Sequence, residues 1–144
     1  SMQNHYNLMY REEEREMLPL CRSEGIGVIP WSPLARGRLA GRGGEATTRS
    51  QTDKTANALY DATRDQDEAV IAAVRTVAER HGRPMAQIAY AWVASRPGVT
   101  APIVGISKLH QFDDAIAALE VELSDEDVAL MEAPYRPKAV AGHV

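Results

Sequence analysis

One short segment constrains the fold of this chain more than any other. Residues 25–31 read Gly-Ile-Gly-Val-Ile-Pro-Trp, a largely β-branched apolar run that stops at a Ser-Pro-Leu-Ala stretch. Such a run is typical of a strand buried in a parallel sheet. An indole and a hydroxyl lie at its carboxyl end, and residues 36–42 are rich in arginine and glycine. We expect this end of the strand to suit a ligand that has an aromatic ring and phosphates.

The rest of the chain alternates between strand and helix patterns. Strand candidates lie at residues 1–8 and 100–106, and helices are predicted from about 17 to 24, 65 to 81, 84 to 95, 109 onward and 124 to 133. Residues 33–63 show no clear periodicity and form a long loop, and a loop of that length is usually functional or disordered. This order favours parallel βαβ units. The sequence therefore predicts one α/β domain over residues 1–144, with three parallel strands and flanking helices.

Composition excludes several classes of function. The 144 residues carry a net charge of −4 and are 44% apolar, which is ordinary for a globular chain and gives no attraction to nucleic acid. The sequence contains no apolar stretch long enough to span a membrane, and its first residues show no signal-peptide pattern. Cys21 is alone, which fits a reducing cytoplasm. The four histidines show no metal-ligand spacing, so we expect no metal site.

The loop after the first apolar run is locally basic. Four arginines and one acid lie between Arg36 and Arg49, in a chain that is acidic as a whole. Guanidinium groups bind phosphate oxygens in a bidentate way, so the loop could clamp a phosphorylated ligand. A solvated loop has the same composition. Its position at the carboxyl end of a strand favours the clamp, because ligands of parallel α/β folds bind there.

A second candidate site joins the last strand to a helix. Residues 104–114 read Val-Gly-Ile-Ser-Lys-Leu-His-Gln-Phe-Asp-Asp. The backbone N–H groups at such a helix start favour an anion, and Lys108 adds a positive charge. An ordinary helix start with an exposed lysine would look the same from sequence.

The aromatic-Ser-Pro-Leu segment resembles the aldo-keto reductase family, in which the seventh strand of the barrel ends in this way and holds NADPH. The resemblance implies that Trp31 stacks on the nicotinamide, and that Ser32 and Leu34 pack around the cofactor. It also places Arg42 near the pyrophosphate and, more loosely, Arg49 near the adenosine end.

The second cluster matches the same family. There a glycine, a nearby hydroxyl, a glutamine and an acid line the adenosine end, and the first of them bind the 2′-phosphate that distinguishes NADP from NAD. The matching residues here are Gly105, Ser107, Lys108, Gln111 and Asp114. Ala115 departs from the pattern, since asparagine is frequent there.

The start of the chain also resembles the family. Gln3 begins a Gln-Asn-His-Tyr-Asn-Leu run like that of the sixth barrel strand, where the glutamine amide binds the nicotinamide carboxamide. Together these matches imply a partial (β/α)₈ TIM barrel, the carboxy-terminal portion comprising about the last three βα units. A closed barrel needs eight strands and roughly 250 residues.

The family reduces aldehydes or ketones with NADPH, using a tyrosine, a lysine, an aspartate and a histidine from the first half of the barrel. No residue of this chain lies in those motifs, so we assign no catalytic residue. The sequence thus predicts the cofactor-binding half of a reductase whose carbonyl substrate it does not identify. Alternatives are a truncated, non-enzymatic half-barrel that oligomerises to cover its sheet edges, and a regulatory or scaffold domain.

Overall fold

A computed structural model describes residues 1–41, 59–60 and 63–140. The α-helices whose bounds lie within these residues are α1 (Met17–Ser23), α2 (Arg64–His81), α3 (Met85–Ala94), α4 (Leu109–Ala117) and α5 (Asp125–Glu132). Short 3₁₀ turns cover Glu12–Glu14, Ala35–Ala40 and Ala118–Glu120. The helices lie where the sequence pattern predicted them, to within one or two residues.

Three extended segments run parallel to each other beneath these helices. The middle segment (residues 27–31) pairs with the first (2–5) through parallel bridges at Met2–Val28 and His5–Trp31, and with the third (99–103) through Val28–Val99. Backbone hydrogen bonds extend this pairing, with the Trp31 N–H donating to the Asn4 carbonyl at 2.9 Å. The parallel direction puts the carboxyl ends of all three segments at one edge.

The pairing consists of isolated bridges, so the described residues contain no regular strand where three were predicted. The ladder is interrupted for two physical reasons. Pro30 and Pro102 have no N–H to donate. The Val28 N–H donates instead to the side-chain hydroxyl of Thr100, at 3.1 Å.

Local sequence signals explain how two of the helices begin or end. The α2 helix ends at Gly82, whose φ of +59° is the left-handed conformation that glycine adopts without strain. The α5 helix begins with the predicted capping box, in which the Ser124 hydroxyl accepts from the Asp127 N–H and the Asp127 carboxylate accepts from the Ser124 N–H.

The hydrophobic core lies between the extended segments and the helices. Residues 85–93 of α3 are all buried, which makes this helix the centre of the helical layer. The core includes Tyr6, Leu8, Val28, Val74, Val77, Ile88, Trp92 and Met131. Cys21 is also buried in it, as expected of a lone apolar cysteine on a helix. In the described residues, no helix is both long and apolar enough to cross a membrane.

Candidate functional site

The residues that follow the middle segment form what we call the Trp31 corner, residues 31–36. The Trp31 ring stacks on His5, with ring centres 4.2 Å apart and planes 12° apart. On its other side His5 stacks on Tyr10, at 4.4 Å and the same angle. Because His5 and Trp31 are bridge partners, the pairing of two extended segments sets the first of these contacts directly.

The backbone of the Trp31 corner is strained. Ser32, Ala35 and Arg36 all have positive φ angles, of 59°, 48° and 56°. Residues with a Cβ rarely adopt this conformation, which costs on the order of 1–3 kcal/mol for each of them. Two local hydrogen bonds hold the turn, since the Ser32 carbonyl accepts from the Ala35 N–H and its hydroxyl accepts from the Arg36 N–H. Strain of this kind concentrates at binding sites.

A buried polar network lies beneath the corner. The Asn7 side-chain amide donates to the Ser32 carbonyl at 2.9 Å and to the Tyr60 hydroxyl at 3.1 Å. The Tyr60 hydroxyl and the His5 Nε2 are 2.7 Å apart. Asn7 and Tyr60 are both fully buried, so these groups have no access to water and depend on each other for hydrogen bonds.

Burial keeps the two titratable groups of this network neutral. It lowers the pKa of His5 to about 4, and the positive charges of Lys138 and Arg36 act in the same direction. Burial also raises the pKa of Tyr60 to about 12. Near pH 7 the network therefore contains a neutral imidazole and a neutral phenol.

An ion pair lies behind Tyr60. The Lys138 ammonium contacts the Asp67 carboxylate and also donates to the Thr63 hydroxyl at 2.9 Å. The two charged side chains are only 5% and 2% exposed. Lys138 lies 5.7 Å from the centre of the Tyr60 ring, which is a cation–π distance. This ion pair links Lys138, in the segment after α5, to Asp67 in the first turn of α2.

His5, Tyr60, Asp67 and Lys138 thus lie together, although the sequence pattern singled out none of them as a site residue. They are the four residue types that the resemblance implies for catalysis. The Tyr60 side chain is 0% exposed and its hydroxyl contacts His5 and Asn7, so it does not reach a carbonyl substrate in this structure. The arrangement holds the Trp31 corner in place and provides no accessible proton donor.

The second predicted cluster forms what we call the Ser107 turn, residues 105–111, and it is held by local contacts. The Gln111 side-chain oxygen accepts from the backbone N–H groups of Ser107 and Lys108, at 2.8 and 3.1 Å, and from the Ser107 hydroxyl at 3.2 Å. Gly105, Ser107 and Lys108 are exposed. The turn therefore presents a positive charge and a hydroxyl to solvent at the start of α4.

Two contacts bring the Trp31 corner and the Ser107 turn to the same edge. The Ile103 N–H donates to the Pro30 carbonyl at 2.8 Å, immediately before Trp31. Leu34 and Val104 pack against one small apolar cluster, made by Ala86, Tyr90 and Ala118. Both candidate sites therefore lie at the carboxyl ends of neighbouring parallel segments.

The other predicted residues divide into three groups. Gln3 lies on the first segment, two residues before the His5–Trp31 bridge, and is exposed. Asp114 accepts a hydrogen bond from the Gln87 side chain at 2.9 Å, which ties α4 to α3. Arg42 and Arg49 lie outside the described residues.

Asn7, His5 and Tyr60 are the residues that sequence reasoning did not assign to the site. Asn7 gave one signal, since it is an amide between the apolar residues Tyr6 and Leu8 in a run that resembles the family's sixth strand. A polar residue at a buried position needs a partner. Its partners lie 25 and 53 residues away, so the sequence could not identify them.

The extended segments and the helices above them define an α/β protein, with two candidate sites at the carboxyl ends of parallel segments. Residues 1–136 match the aldo/keto reductase family, and the chain belongs to it. The family implies an α/β barrel. In the described part of the chain, no group of three or more His, Cys, Asp or Glu side chains is placed to hold a metal ion.

Individual relatives agree with the family. The chain is 41% identical to an aldo-keto reductase of Fusarium vanettenii, over 99% of this chain and 38% of that protein. It is 44% identical to versiconal hemiacetal acetate reductase of Aspergillus parasiticus, over 97% of this chain and 41% of that protein. It is 43% identical to the aldo-keto reductase AFTS1 of Alternaria alternata, over 99% of this chain and 38% of that protein. The chain thus spans about two-fifths of the length of these relatives.

Proposed function

We propose that this chain is the carboxy-terminal, cofactor-binding part of an NADPH-dependent aldo-keto reductase that reduces aldehydes or ketones to alcohols. One observation carries the proposal. The Ile103–Pro30 hydrogen bond and the shared packing of Leu34 and Val104 bring an aromatic corner and a basic, hydroxyl-bearing turn to one edge. A dinucleotide has an aromatic ring at one end and phosphates along its length, and it needs both kinds of contact.

The residues fit NADPH in their chemistry. The half-buried Trp31 ring offers a flat apolar surface to the nicotinamide, with Ser32 and Leu34 beside it. The exposed Ser107 and Lys108 are suited to the adenosine 2′-phosphate, because a hydroxyl and an ammonium both donate hydrogen bonds to phosphate oxygens. The remaining cofactor contacts of the proposal are Gln3, Arg42, Arg49, Gly105, Gln111 and Asp114. NADPH supplies the hydride when it is bound.

Catalysis in this proposal needs groups beyond this chain's own residues. The Tyr60 hydroxyl is buried against His5 and Asn7, so we assign the proton donor to the remaining part of a complete reductase. The lone Cys21 is a buried free thiol, which fits a reducing compartment, and we place the protein in the cytoplasm.

The experiment is a titration of the chain with NADPH and with NADH, read by energy transfer from tryptophan to the reduced nicotinamide. Lys108→Ala should weaken NADPH binding about 10- to 100-fold, since one charge-assisted hydrogen bond is worth about 1.5–3 kcal/mol. NADH affinity should change little, because NADH has no 2′-phosphate.

Arg75→Ala is the matched control. Arg75 is an exposed cation on α2, so its removal changes the net charge equally but touches neither the corner nor the turn. Equal losses in the two variants, or no NADPH binding by the unmodified chain, would contradict the proposal.

A second candidate is supported by the surface of α4 and of the 3₁₀ turn Ala118–Glu120 that follows it. Leu109, Phe112, Ile116 and Leu119 recur at helical spacing and are between 48% and 78% exposed. An apolar stripe of this kind is typical of an interaction surface. The candidate is a non-enzymatic half-barrel that self-associates through α4. A stable dimer in sedimentation velocity, combined with no affinity for NADPH, would favour it over the reductase.

A further inference from the structure

Asn7 lies at the centre of the network beneath the Trp31 corner. Its side chain is fully buried, and its oxygen accepts from the Met9 N–H at 2.9 Å. Three acceptors surround its nitrogen, namely the Ser32 carbonyl at 2.9 Å, the Tyr60 hydroxyl at 3.1 Å and the His5 Nε2 at 3.2 Å. A side-chain amide has only two N–H groups, so the third contact cannot be an equal hydrogen bond.

The proton arrangement follows from the neutral state of the groups. The amide donates to the Ser32 carbonyl and to the Tyr60 oxygen, which are the two nearer acceptors. The Tyr60 hydroxyl and the His5 Nε2 share one hydrogen bond of 2.7 Å, in which the tautomer of the neutral His5 sets the donor. The bond to the Ser32 carbonyl is the one by which Asn7 reaches the corner.

That bond reaches a strained position. Ser32 follows Trp31 directly and has a φ of +59°. The Ser32 carbonyl also accepts from the Ala35 N–H, a bond within the turn itself. Asn7, two residues after the first extended segment, adds a second bond to this carbonyl and thereby fixes the direction of the peptide between Ser32 and Pro33. Without this bond less would offset the strain of a serine at positive φ, and Ser32 would relax to an unstrained conformation and displace Trp31.

We propose that Asn7 is a positioning residue for cofactor binding: its amide holds Ser32 in the left-handed conformation and so sets the orientation of the Trp31 ring. This inference rests on the proposed function, because the ring it positions is the one assigned to the nicotinamide. Asn7 itself does not touch the cofactor.

The test uses Asn7→Asp, which keeps the size of the side chain and the acceptor for the Met9 N–H but removes the donor. The first readout is NMR of the unliganded chain. The His5 ring protons are shifted by the stacked Trp31 ring, and these shifts should shrink in the variant. The second readout is NADPH affinity, which should fall about tenfold if one buried hydrogen bond is lost.

Tyr60→Phe is the comparison variant, since it removes the hydroxyl that contacts Asn7, His5 and the Ser32 side chain but leaves the bond from Asn7 to the Ser32 carbonyl. It should keep the Trp31 ring-current shifts. Ser32→Gly in the Asn7→Asp background should recover part of the lost stability, because glycine adopts positive φ without strain. The recovery is measured by urea unfolding as a double-mutant cycle. This measurement still tests the inference if the Asn7→Asp variant is only partly folded.

Unchanged ring-current shifts in Asn7→Asp would overturn the inference, as would equal losses in Asn7→Asp and Tyr60→Phe or the absence of any rescue by Ser32→Gly. Failure of the proposed function gives a different result. In that case the unmodified chain does not bind NADPH, while the NMR shifts and the double-mutant cycle still decide whether Asn7 positions the corner.

Discussion

The Trp31 corner and the Ser107 turn were both predicted to bind one dinucleotide, yet they are built in opposite ways. The corner is held by residues from distant parts of the chain, with Asn7 and Tyr60 fully buried beneath it. The turn is held by Gln111, four residues or fewer from each of its partners, and is largely exposed. One site is a product of tertiary packing, and the other is the start of a helix.

This difference in construction predicts how each site responds to an amino-acid substitution. Loss of the Asn7 donor should alter the corner, since no water reaches the Ser32 carbonyl from the buried side to replace it. A substitution in the turn should have only a local effect on structure, because water can replace a lost hydrogen-bond partner at an exposed helix start. The following predictions test this contrast, from the largest expected effect to the smallest.

Asp67→Asn should lower the free energy of unfolding by about 3–5 kcal/mol, which is the usual cost of leaving one member of a buried ion pair without its partner. Both Asp67 and Lys138 are almost fully buried, and Lys138 lies against the Tyr60 ring. Urea unfolding measures the effect. Glu126→Gln is the control, because its pair with Arg80 is exposed and should contribute less than about 1 kcal/mol. Similar losses in the two variants would show that the region behind the corner is not tightly packed.

Acid should destabilise the corner well before it affects the turn. The pKa of His5 falls to about 4 in the folded chain, from its ordinary 6.5, because of burial and the charges of Lys138 and Arg36. The unfolded chain therefore binds more protons between these values, and stability is lost as pH falls from about 6.5 to 4. The full loss is about 3 kcal/mol.

Urea unfolding at several pH values measures this slope, and His5→Gln should flatten it within the same window. A slope that is unchanged in His5→Gln would assign the acid sensitivity to other groups. Glu12 and Asp127 have lowered pKa values and contribute mainly below this range.

Gln111→Ala should cost about 1 kcal/mol, which is typical of a lost helix cap. The Gln111 side chain accepts from two backbone N–H groups at the start of α4. Hydrogen exchange should show faster exchange at the Ser107 and Lys108 amides, with no change around Trp31. Gln111→Glu keeps the acceptor and should restore most of the loss. A change in the Trp31 signals would show that the two sites are coupled.

Leu119→Gln should change stability by no more than about 0.5 kcal/mol, because this side chain is 73% exposed. Urea unfolding at low protein concentration measures this. Sedimentation velocity on the same variant tests the self-association candidate, since a dimer built on α4 should weaken while the monomer stays equally stable.

Much of the helical layer could be predicted from sequence. Gly82 ends α2 and Ser124 begins α5 through contacts made within a few residues, so the sequence contains the whole signal. The extended segments were predicted as regular strands and are paired only by isolated bridges. Proline positions were visible in the sequence, but the capture of the Val28 N–H by Thr100 depends on a neighbour 72 residues away.

The sequence by itself determined the order and limits of the helices, the aromatic-Ser-Pro-Leu segment and the basic turn before α4, since these features depend on periodicity and on contacts between near neighbours. Only the tertiary structure decided that Asn7 reaches Ser32, that His5 stacks on Trp31, and that Lys138 and Asp67 lie behind Tyr60. The physical reason is that a buried polar group takes whatever partner the fold brings to it, and chain distance does not restrict which residue that is.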